Sequence, residues 1–73
     1  MREIVLSVAP AAEGWWLDCD LPLEPTYFSS GARAEQTARD LALRLTNCGR
    51  DVRVFVKDRS DQTIATHRYF SIA

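Results

Sequence analysis

The sequence predicts a two-layer α+β domain of order ββαββ, in which one helix packs on one face of a mainly antiparallel four-stranded sheet. Three observations predict it. Apolar residues alternate in four short segments, one stretch of helical periodicity lies between the second and third, and 73 residues suit a single small domain spanning 1–73.

The first strand runs from Arg2 to Val8, with Ile4, Leu6 and Val8 on one side and Glu3, Val5 and Ser7 on the other. Pro10 ends it, and Ala9 to Gly14 form a turn. The alternation resumes from Trp15 to Leu21. Trp15, Leu17, Cys19 and Leu21 share one face, Trp16, Asp18 and Asp20 the other, and the two strands pair as a hairpin. Pro22 and Pro25 have no amide proton for a ladder, so Leu23 to Tyr27 cross as an extended loop, and Tyr27-Phe28 can add a short edge pairing.

Ser29 or Ser30 caps the helix. Ala34, Ala38, Leu41, Leu45 and Cys48 follow at steps of four and three, an apolar stripe that Ala42 widens. Gly49 supplies a left-handed stop, and Leu43, nearly opposite Leu41 and Leu45, is expected to be exposed. The third strand sets Val52, Val54 and Val56 against Arg53, Phe55 and Lys57, and Asp58 to Asp61 make a turn. In the last strand, Thr63 to Ile72, Ile64 and Phe70 are assigned inward with Arg68 beyond the helix edge, and Ala65, His67 and Tyr69 outward; a bulge could reverse the second half. The expected core is Ile4, Leu6, Trp15, Leu17, Ala38, Leu41, Leu45, Val52, Val54 and Ile64.

One helix covers one sheet face only. The uncovered face is expected to carry Val5, Trp16, Phe55, His67 and Tyr69, and aromatics on an open sheet face mark a surface that something covers. A chain this short buries only about 60% of its unfolded surface, which favours a homodimer or another protein partner on that face. The alternative occupant is single-stranded nucleic acid, stacking on Phe55 between Arg53 and Lys57. Against it stand Asp18 and Asp20 beside Trp16, and a net charge of −1 from nine basic and ten acidic residues. A third reading leaves Trp16 and Tyr69 as a cross-strand pair with no partner at all.

Enzymatic readings find little support. The lone His67, by strand parity, points away from Cys19 and Cys48, so neither a Cys-His dyad nor a mixed metal site is expected, and the isolated Gly14, Gly31 and Gly49 build no phosphate loop. Asp18 and Asp20 read as a solvated strand end rather than an acid-base pair. No cofactor, metal or small-molecule substrate is expected. Both cysteines are read as reduced core thiols, and a cytoplasmic setting follows. The apolar run in Met1 to Ala12 is too short for a signal peptide, and no stretch is long enough for a membrane span.

Val8-Ala9-Pro10, then Gly14-Trp15, the helix pattern Ala34, Ala38, Leu41, Ala42, and Val52 to Val54 before an Asp-containing turn together resemble a family of small bacterial ββαββ domains of unknown function. The resemblance spans nearly the whole chain. It departs at Gln62, where such domains tend to have Gly, and in the longer Pro-containing crossover. It implies the fold and no catalytic or cofactor residue.

Overall fold

The computed structural model describes residues 3–20, 24–60 and 62–71. Among them, five strands form one sheet and one helix packs on it: β1 (Ile4–Pro10), β2 (Trp15–Cys19), β3 (Thr26–Phe28), α1 (Gly31–Asn47), β4 (Val52–Lys57) and β5 (Thr63–Tyr69). The α+β class and the single covering helix agree with the sequence reading. Two details differ. The Tyr27-Phe28 pairing is a fifth strand, and the sheet is mixed, in the order β3-β2-β1-β4-β5 with β1 and β4 parallel at its centre. Arg2, Leu21, Pro22, Leu23, Asp61 and Ile72 lie outside the described residues.

The ends of α1 and of β4 have visible reasons. Ser30 is the N-cap, its Oγ accepting from the Arg33 amide at 3.4 Å. At the other end the Gly49 amide donates to the Thr46 carbonyl and the Arg50 amide to the Leu45 carbonyl, a pair of reversed bonds that requires the left-handed φ of 89° at Gly49. The turn after β4 is tied by the Asp58 carboxylate, which accepts from the Ser60 hydroxyl and from the Ser60 and Gln62 amides. Arg59 then reaches the turn after β1, where it donates to the Ala11 and Gly14 carbonyls while its guanidinium lies 5.0 Å above the Trp15 ring.

The core lies between α1 and the sheet. Ile4, Leu6 and Val8 of β1 and Val52, Val54 and Val56 of β4 meet Leu17 and three alanines of α1, Ala34, Ala38 and Ala42, all buried. The alanines recur every four residues and form the line of contact, where their small side chains let the helix sit close to the central strands. Leu41, Leu45 and Trp15 flank this line and are partly buried against it. Leu43 is exposed, as its angular position predicts.

The last strand corrects the sequence reading. Val52, Val54 and Val56 stand opposite Tyr69, His67 and Ala65, and residues directly opposite share a face, so these three turn toward the helix. Ala65 and Tyr69 pack on the core, while Ile64 and Phe70 are 62% and 63% exposed. The register shift lies at the start of β5: Val56 pairs with Ala65 and Lys57 with Thr63, leaving Ile64 as the extra residue. Alternation from Ala65 onward then puts Thr66 and Arg68 on the open face. Burying Arg68 would carry a desolvation cost that exposing Ile64 and Phe70 does not, and β5 is an edge strand. Cys48 is likewise exposed at the helix C-cap rather than in the core, and Cys19 is half-buried against it.

Candidate functional site

The face of the sheet away from α1 is built in three rows across the strands. In the first, Asp20 lies beside Val5, its amide donating to the Val5 carbonyl and its carboxylate accepting from the Val5 amide, and Val5, Arg53 and Arg68 follow in register. Asp18, Ser7, Phe55 and Thr66 form the second row. The third begins with Tyr27, Trp16 and Ala9, and Lys57 and Thr63 continue it on the other half of the sheet.

Size and charge both vary from left to right along these rows. The central strand β1 presents Val5, Ser7 and Ala9, all short, while β2 presents Trp16 and Asp18 on one side and β4 presents Arg53, Phe55 and Lys57 on the other. The floor between them is a shallow trough of 440 Å³ lined by Ser7, Ala9, Trp16, Asp18, Pro25 and Lys57. Its β2 wall carries Asp18, whose carboxylate accepts from the Cys19 amide at 2.8 Å. On that side Trp16 and Tyr27 are 42% and 47% exposed and meet edge to face, with centroids 5.5 Å apart at 73°. The β4 and β5 side carries Arg53, Lys57 and Arg68. Arg53 lies 5.7 Å from the Phe55 ring centroid and forms a 2.9 Å ion pair with Glu3.

Of the residues expected on this face, the structure brings Val5, Trp16, Phe55, Arg53 and Lys57 together. His67 and Tyr69 leave it, because β5 has the opposite parity. The cross-strand pair expected between Trp16 and Tyr69 is therefore not made, and Tyr27 of the short edge strand takes Tyr69's place beside Trp16. Arg68 joins the face unforeseen. An inward arginine opposite a row of valines was the signal that could have found it.

The turned strand also changes the argument about His67 and Cys19. Both belong to the row Cys19, Leu6, Val54, His67, so parity does not separate them. Distance does: three strand spacings amount to about 14 Å, with the fully buried Leu6 and Val54 in between. Among the described residues no three His, Cys, Asp or Glu side chains group as metal ligands. Nor is any helix among them long and apolar enough to cross a membrane. Comparison with protein-family models, curated proteins and solved structures finds no match.

Proposed function

We propose that this chain is a non-enzymatic protein-interaction module that associates with a second copy of itself through the open face of the sheet, in the cytoplasm. The observation that carries the reading is the division of that face. Asp18, Asp20 and two exposed aromatics lie on its β2 and β3 side, Arg53, Lys57 and Arg68 on its β4 and β5 side, where Glu3 pairs with Arg53, and short residues run between them. A surface that carries both signs in separate halves is complementary to itself once rotated, which a surface of one sign is not. Exposed Trp16 and Tyr27 are the residue types that anchor interfaces, and a 73-residue chain gains most from added burial.

Single-stranded nucleic acid is the second reading, favoured by one observation: Arg68 stands beside Arg53, which already lies near Phe55. Asp18 and Asp20 on the same face oppose a phosphate backbone. Sedimentation equilibrium of the parent and of Trp16→Ala at two concentrations, with oligonucleotide binding at low and high salt, separates the two. A dimer that Trp16→Ala dissociates supports self-association. A monomer that binds oligonucleotide in a salt-sensitive way transfers the face to nucleic acid.

A further inference from the structure

Resting on the self-association reading, we propose that the second copy docks with the two-fold axis lying in the interface and running along β1, so that Asp18 of each copy meets Lys57 and Arg53 of the other. Two aligned sheets packed face to face can be related by a two-fold along the strands or by one across them. The rows decide between these.

An axis along β1 exchanges left and right and keeps each row. The β2 side of one copy then covers the β4 side of the other: Trp16 of the third row lies over Lys57, and Asp18 of the second lies over Phe55, between Arg53 and Lys57. Asp20 of the first row covers Arg53. Asp20 faces Arg53, which also pairs with Glu3 of its own chain, Asp18 lies diagonally between Arg53 and Lys57, the indole faces an ammonium, and the short side chains of the two β1 strands meet at the centre. An axis across the strands instead keeps each strand over its own counterpart and exchanges the first and third rows. Lys57 then covers Arg53, and Trp16 covers Asp20. The first arrangement pairs opposite charges and the second pairs like ones.

Charge reversal tests this with Asp18→Lys and Lys57→Asp, each checked for folding by circular dichroism. Each variant alone is expected to weaken its own dimer by more than about tenfold, because like charges then meet at both symmetric contacts. Mixed together, the two are expected to form heterodimers in excess of either homodimer by native mass spectrometry, since both contacts regain opposite signs. Asp18→Asn gives an independent reading that preserves the fold: the parent dimer should weaken as salt rises, and this variant should weaken less steeply. A statistical mixture of the three dimers, a mixture that stays monomeric, or an unchanged salt slope overturns the arrangement. If Trp16→Ala dissociates the parent dimer while the reversals do not, the arrangement alone fails; if the parent is a monomer, the self-association reading fails with it.

Discussion

Arg53 and Arg68 stand directly opposite each other across β4 and β5, two like charges in a cross-strand pair on the open face. Such a pair is destabilising in an isolated sheet, and Glu3, 2.9 Å from Arg53, offsets one of the two charges. Replacing Arg68 by Glu exchanges the repulsion for a cross-strand ion pair. Arg68→Glu is expected to raise the stability of the dilute monomer by about 0.2–1 kcal/mol, read as a higher thermal midpoint. A lower midpoint would mean that the two side chains do not face each other.

The parity of β5 has its own test. Leu6 is fully buried and Ile64 is not, so Leu6→Ala should cost about 2–5 kcal/mol, while Ile64→Ala should stay within about 0.5 kcal/mol of the parent. Equal losses in urea denaturation would return Ile64 to the core.

That contrast shows what alternation can reveal. Ile4, Leu6 and Val8 on β1, the valines of β4 and the stripe of α1 were legible because one side of each element is apolar and the other is not. In β5 both sides mix apolar and polar residues, Ile64 and Phe70 with Arg68 against Ala65 and Tyr69 with His67, so the pattern alone does not choose a face. The choice is made by the valines of β4 and by the bulge at Ile64, both tertiary facts. The open face was half legible for the same reason. Val5, Trp16, Phe55, Arg53 and Lys57 came from clear alternation, whereas Tyr27 depends on a three-residue strand and Arg68 on the turned one.

Gly14 holds a close approach between β2 and β3. A Cβ there would overlap the Phe28 carbonyl oxygen and the Tyr27 phenol ring, and the Phe28 carbonyl belongs to backbone that cannot swing aside. Gly14→Ala is therefore expected to cost about 1–3 kcal/mol and to shift the Tyr27 ring away from Trp16. Thermal denaturation with near-ultraviolet circular dichroism reads both. Unchanged aromatic dichroism would contradict the packing.

Asp58 gives stability a dependence on acid. The Ser60 hydroxyl, then the Gln62 amide, hold its carboxyl below the ordinary aspartate value of 3.8 against the opposing effect of desolvation, because both bond to the charged form. The folded pKa is lower than the unfolded one. Its contribution is therefore fully present above the unfolded value and is lost as pH falls through the folded value. Asp58→Asn should flatten the decline of the thermal midpoint in that acid range. An identical decline in parent and variant would show that the turn contributes nothing there.

The most direct measurement of self-association through the open face is a dilution series of amide and indole NMR spectra on the parent. The signals of Val5, Ser7, Trp16, Asp18, Phe55 and Lys57 are expected to move with concentration, while those of Ala34, Ala38 and Ala42, buried under the helix, stay in place. Spectra that do not change with concentration, or changes confined to α1, would contradict the account.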